Sequence, residues 1–152
     1  RVIKRQRIKN ESFKYHFDAH LLTILIPIYI PKRKNSNNGH LLISPNLRKI
    51  SNSILINILQ KIYYQKFLSK ILNGPKLIKI LKLQKIILKP KSIFVFNGFR
   101  SLHGNLEIHK DDLRATMLIH YHDIFKNSKL VTFNRNLRIL RENKRIKKKG
   151  KN

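Results

Sequence analysis

Basic and apolar residues alternate over residues 1–8 (RVIKRQRI), the pattern of a half-exposed strand. Aromatic alternation over 12–18 (SFKYHFD) predicts a second strand, and the Leu- and Ile-rich run 20–31 predicts a long third one that ends among prolines. A polar loop over 32–39 (KRKNSNNG) closes on Asn-Gly, a turn signal, and a short strand follows at 40–43. The period then changes. Apolar residues at 54, 55, 58, 59, 62, 67, 68, 71 and 72 keep roughly helical spacing. Ser51 or Ser53 can cap that segment and Asn73-Gly74-Pro75 can stop it, so a helical insert is expected over about 51–73. Residues 76–89 read as one or two strands, followed by a turn at Lys89-Pro90-Lys91-Ser92. A strand over 93–96 closes on Asn97-Gly98, residues 100–103 lead into His103-Gly104-Asn105, and 114–121 form the last clear strand.

Many short strands with turns at regular intervals and one inserted helix predict a mainly β fold, a jelly-roll or barrel. The expected division is a single domain over 1–128 and a basic C-terminal tail over 129–152. The chain starts at Arg1, directly in a strand-like stretch, and is therefore expected to be N-terminally truncated.

Composition removes some chemistries. Without cysteine there is no disulfide framework, no zinc–thiolate site and no thiol nucleophile. The most apolar run, Leu21 to Ile30, is too short to span a bilayer and contains Pro27, and no signal peptide is visible; a cytoplasmic location without a membrane span is expected. The net charge of +27, from 34 basic and 7 acidic residues, favours polyanions through counterion release. Nucleic acid is nevertheless the less favoured partner. The chain carries no RNP-like aromatic motif, zinc finger or helix-turn-helix signature, and its cations are spread over solvated faces.

The acids say more than the bases. Between Glu11 and Glu107 the only carboxylate is Asp18, in an apolar stretch beside histidines. A bound cation would account for it. In His16-Phe17-Asp18 the outer two residues share a strand face, so an imidazole and a carboxylate converge. His103 stands far along the chain, and Arg114 follows it eleven residues later at the start of the final strand. Two histidines and one carboxylate on one face of an octahedron leave three positions open, the arrangement of oxygen-activating iron(II) sites. A 2-oxo acid takes two of these positions and O2 the third. A dicarboxylate co-substrate then needs a cation at its far end, and arginine supplies a planar, always-charged fork. Thr116, two residues on from Arg114, shares its strand face and offers a hydroxyl to the same carboxylate.

With these motifs in order, the chain resembles the phytanoyl-CoA dioxygenase-like branch of the Fe(II)/2-oxoglutarate-dependent oxygenases over about residues 12–121. The resemblance is carried by HFD at 16–18, NNGHLLISPN at 37–46, KPKSIFVFNGFRSLHGN at 89–105 and RATMLIHY at 114–121. It implies a double-stranded β-helix (jelly-roll, cupin-like) oxygenase domain. It further implies iron held by His16, Asp18 and His103, 2-oxoglutarate held by Arg114, and Asn105 as a neighbouring or co-substrate contact. The activity implied is hydroxylation of a small organic molecule by O2, with 2-oxoglutarate decarboxylated to succinate. No catalytic residue is expected beyond the metal ligands. The sequence departs from the family at Asn46-Leu47-Arg48, where Gly-Ser-His is frequent, and at Lys91, where Gly is expected. A basic nucleic-acid-binding protein and a catalytically degenerate oxygenase fragment stand as alternatives.

The remaining histidines read as structural. His20 lacks the glutamate of a helical zinc motif, His120 and His122 suit core or pocket packing, and His40 and His109 suit loops or strand edges. Arg100 reads as a surface cation, and Phe94, Phe96 and Phe99 as core and pocket wall.

Overall fold

The structure, a computed structural model, describes residues 2–4, 15–34, 37–64, 75–109, 111–129, 132–133, 136 and 139–140. In chain order the elements are β1 (Val2–Lys4), β2 (His20–Tyr29), β3 (Leu41–Ser44), α1 (Ile54–Ile62), α2 (Pro75–Ile80), β4 (Gln84–Ile86), β5 (Phe94–Asn97), β6 (Leu102–Asn105) and β7 (Leu113–Asp123). The strands form a four-stranded sheet in the order β1-β7-β2-β5 and a three-stranded sheet in the order β4-β3-β6. β1 pairs antiparallel with β7, β2 with β5, and β3 with both β4 and β6. The fold is thus mainly β, as the turn spacing predicts. The described residues fall into two compact units, one within Arg1–His122 and one within Asp123–Asn152. Among the described residues no helix is long and apolar enough to cross a membrane.

Alternation decides which faces are inward. On β2 the buried residues are Thr23, Leu25 and Pro27, and on β7 they are Arg114 and Thr116, each two apart. Leu25 and Ile30 join Leu41, Ile43 and Leu88 in one buried cluster, with Phe94, Phe96 and Leu118 against it. This cluster draws on both sheets and is their shared core. A second cluster, Phe17, Leu81, Leu83 and Leu102, gathers Tyr15, Leu47, Tyr64 and Ile78. All four residues of β3 are buried, as in a strand covered on both faces. Each such fully buried leucine contributes about 1.5–3 kcal/mol.

The helical segment begins where expected. Ser53 is the N-cap of α1, its side chain accepting from the Ile56 N–H. Asn57 holds the approach to that cap: its amide donates to the carbonyls of Ser51 and Ser53 at 2.6 and 2.8 Å, and its Oδ1 accepts from the Ser51 N–H. The end of the predicted insert, 65–73, lies outside the described residues.

Two expectations need correcting. Residues 76–89 are not strand throughout, because α2 occupies their first part and only β4 is extended. The reason lies at the junction. Lys82 takes φ +48°, Leu83 N–H donates to the Ile78 carbonyl at 2.9 Å, and Lys82 N–H donates to Lys79 at 3.3 Å. That is a helix-terminating pair of bonds closed by an apolar contact of Leu83 with Ile78 in one cluster. The second correction concerns 12–18. Residues 11–14 lie outside the described residues, and 15–18 make a single antiparallel bridge, His16 to His103, rather than a regular strand. After that bridge the chain leaves β6, and the Asp18 N–H goes to the Gly98 carbonyl just beyond β5, at 3.0 Å.

Candidate metal centre

The bridge between His16 and His103 sets the site. Their main chains exchange both hydrogen bonds, at 2.8 and 3.0 Å, so the two side chains stand opposite one another on the same side. Their ring centroids are 4.4 Å apart. Phe17 and Leu102, the alternate residues on each segment, are both buried in the second core cluster. Burying these two side chains directs His16, Asp18 and His103 the opposite way.

Asp18 completes the cluster. Its Oδ1 lies 3.8 Å from His16 Nε2, and its Oδ2 lies 3.5 Å from His103 Nε2. One ligand atom from each residue falls within 4.8 Å of the others, and among the described residues this is the group of His, Asp or Glu side chains arranged to hold an ion. The His103 Nδ1 faces the Ser101 carbonyl at 3.0 Å. A carbonyl only accepts, so Nδ1 carries a proton; Nε2, turned to Asp18, donates to the carboxylate when it is protonated and offers its lone pair to an ion when it is not. Phe96 supports the same ring edge-on at 4.9 Å. Burial pushes the Asp18 carboxyl up, but His103, the Thr23 hydroxyl and His16 together outweigh it and hold the group well below the usual carboxylate range. The carboxylate is therefore ionised at neutral pH, ready for a cation.

The close approach needs Gly98. A Cβ there would run into the Thr23 hydroxyl and the Asp18 carboxylate, and would lie 3.0 Å from the Asp18 Cβ. The turn signal at Asn97-Gly98 thus has a second use that sequence alone does not display.

No protein-family model, curated protein or solved structure matches the chain.

The other expected site residues lie along the strands that build the centre. Arg114 and Thr116 are buried on the inward face of β7, at 2% and 4% exposure. His120 shares that face by parity, and its Nδ1 comes within 3.9 Å of Asp18 Oδ2. Arg114 stands six residues from His120, roughly 20 Å between backbone positions along the strand, so its long side chain and an extended dicarboxylate have to cover that span between them. Gly39, at φ +66°, lets the chain pass against Arg114; a Cβ there would lie 2.6 Å from Arg114 Cδ. The surroundings of Arg114 are basic. Burial, then Lys85 and Arg114, hold His40 below the usual histidine value, and its Nδ1 accepts from the Leu88 N–H at 3.1 Å. Asn105 is half-buried at the end of β6, paired with Leu41, two residues from His103 on the same strand face.

Three residues that matter are not singled out by motif. Thr23, 1% exposed, donates its hydroxyl to Asp18 Oδ2. Its one signal is being the polar member of the buried alternation on β2. His120, read as packing, lies 3.2 Å from the Thr23 hydroxyl oxygen and stacks on His20 at 4.9 Å. Arg48, just after β3, is 3% exposed. It lies between the rings of Phe17 and Phe99, and donates to the carbonyls of Phe99 and Asn57 at 2.7 and 2.9 Å. Burial pushes it down to about 10, still charged at neutral pH.

Proposed function

We propose that the chain is a non-haem iron(II), 2-oxoglutarate-dependent dioxygenase of the phytanoyl-CoA dioxygenase-like type. His16, Asp18 and His103 hold the iron, and Arg114 receives the distal carboxylate of 2-oxoglutarate. One observation carries the reading: two imidazoles and a carboxylate from distant segments meet within 4.8 Å. The same β7 face that approaches them carries a buried arginine.

The donor set fits iron(II) or a similar divalent ion. It offers nitrogen and oxygen without thiolate, and three protein ligands leave coordination positions open. The strand order supports a double-stranded β-helix. The His16 bridge lays a further segment along β6, at the edge of the smaller sheet. Strands of this arrangement bring an early segment and a late strand side by side, as the ligand spacing requires.

Bound iron supplies activation of O2, coupled to decarboxylation of 2-oxoglutarate to succinate and CO2 and to hydroxylation of a small organic substrate. The chain's own groups do the positioning. Ser101 fixes the His103 tautomer through Nδ1, Gly98 leaves room for Asp18, and Arg114 offers a fixed fork to the far carboxylate. Thr116 and Asn105 are the co-substrate's expected polar neighbours.

Anaerobic addition of Fe(II) and 2-oxoglutarate is expected to produce a weak visible charge-transfer band, absent in His16→Ala. Absence of the band in the folded wild-type protein, with Fe(II) bound, overturns the dioxygenase assignment.

A further inference from the structure

We propose that Thr23 and His120 are positioning residues that fix the Asp18 carboxylate for ion binding, as a directed relay of hydrogen bonds from His120 through Thr23 to Asp18. The inference rests on the metal-centre reading above and concerns residues outside its ligand set.

Thr23 is a polar residue buried on the inward face of β2, between apolar neighbours. A hydroxyl has one proton to give and two lone pairs. An ionised carboxylate only accepts, so the proton goes to Asp18 Oδ2. The hydroxyl oxygen then accepts from His120 Nδ1, 3.2 Å away. This assigns the His120 proton to Nδ1. His120 is in turn oriented by its stack on His20, the planes inclined by 18°. Gly98 makes the contact sterically possible, since any side chain there would separate Thr23 from Asp18. With one lone pair of Oδ2 taken by Thr23, the carboxylate is held in one orientation. Its remaining lone pairs face His16 and His103, at 3.8 and 3.5 Å. A carboxylate free to rotate would lose that alignment, and partners of this kind typically hold 10- to 100-fold in metal affinity.

The test is Co(II) titration of the full chain, followed by visible absorption and compared with apoprotein melting. Thr23→Val keeps the shape and removes the hydroxyl, and it is expected to weaken Co(II) binding about 10- to 100-fold. Thr23→Ser keeps the hydroxyl and removes a methyl, and it should bind close to wild type. A purely structural role gives the reverse order, with Val tolerated and Ser weakened, and overturns the proposal. His120→Phe keeps a ring against His20 without the Nδ1 donor, at a side chain one-third exposed and therefore tolerant. It is expected to weaken binding about 2- to 10-fold, the worth of one hydrogen bond. It carries the test alone if Thr23→Val does not fold, and unchanged affinity then overturns the relay. Wild-type protein that binds Co(II) no better than its His16→Ala variant overturns the metal centre itself. Wild-type binding with both variants unchanged overturns the relay alone.

Discussion

The guanidinium of Arg48 lies 4.4 Å from the ring centre of Phe17, the residue between His16 and Asp18. A second ring, Phe99, covers its other face at 4.1 Å. A buried cation therefore clamps the segment that carries two of the three proposed ligands. Arg48→Met keeps volume but removes two charge-assisted hydrogen bonds and the ring contacts. It is expected to cost about 3–5 kcal/mol, from roughly 1.5–3 per hydrogen bond to a charged group less what the apolar replacement regains. Urea unfolding measures this, and a cost below 1 kcal/mol would show the clamp to be dispensable.

Gly98→Ala tests the space around Asp18. The added methyl meets the Thr23 hydroxyl and the Asp18 carboxylate, neither of which can move without breaking their mutual hydrogen bond. Overpacking of this sort costs about 1–3 kcal/mol. Divalent-ion affinity is expected to fall with stability. A variant that melts and binds Co(II) like wild type would contradict the tight approach.

The Asp18 carboxyl is held below its ordinary value in the folded protein. A depressed carboxyl stabilises the fold above its unfolded value, about 3.9, and that contribution fades as pH falls through the folded value. The advantage of wild type over Asp18→Asn, measured by urea unfolding without metal, is thus expected to shrink as pH falls below about 4. An advantage that grows with acidification would reverse the assignment.

Arg114→Ala is expected to separate co-substrate from metal. Losing one partner of a buried charge pair costs about 2–5 kcal/mol of binding, so 2-oxoglutarate should bind far more weakly while Co(II) affinity stays near wild type. Arg114→Lys should recover little, because an ammonium lacks the bidentate fork. The charge-transfer band titrated with 2-oxoglutarate reads both variants. Equal loss of metal and co-substrate would assign Arg114 to the fold rather than to the ligand.

Much of this was readable from residue order, and the failures have physical causes. β2 and β7 are visible because a long apolar run and a strict alternation leave no competing period. The convergence of His16, Asp18 and His103 was also legible, although HFD makes only one bridge where a whole strand was expected. Parity over three residues is enough to set the faces of His16 and Asp18, whatever the ladder beyond. Residues 76–89 misled because Ile78 and Leu81 suit a helix while Leu81 and Leu83 suit a strand; the positive φ of Lys82 joins the two. Arg48 stayed hidden because the ring of Phe99 that covers it is 51 positions away, and Thr23 because its contact with His120 spans 97. A buried arginine between two rings looks like any surface cation in a chain with 34 of them.

The same distance has a consequence for assembly. Thr23 and His120, which meet beside Asp18, are 97 positions apart. Their contact requires most of the chain to be closed into a loop, the kind of step that comes slowly and carries a large entropic cost. A divalent ion seated beside them has no equivalent perch in the open chain. It would act as a clasp between early and late segments, adding about 2.7 kcal/mol to the folded state at one hundred times its dissociation constant.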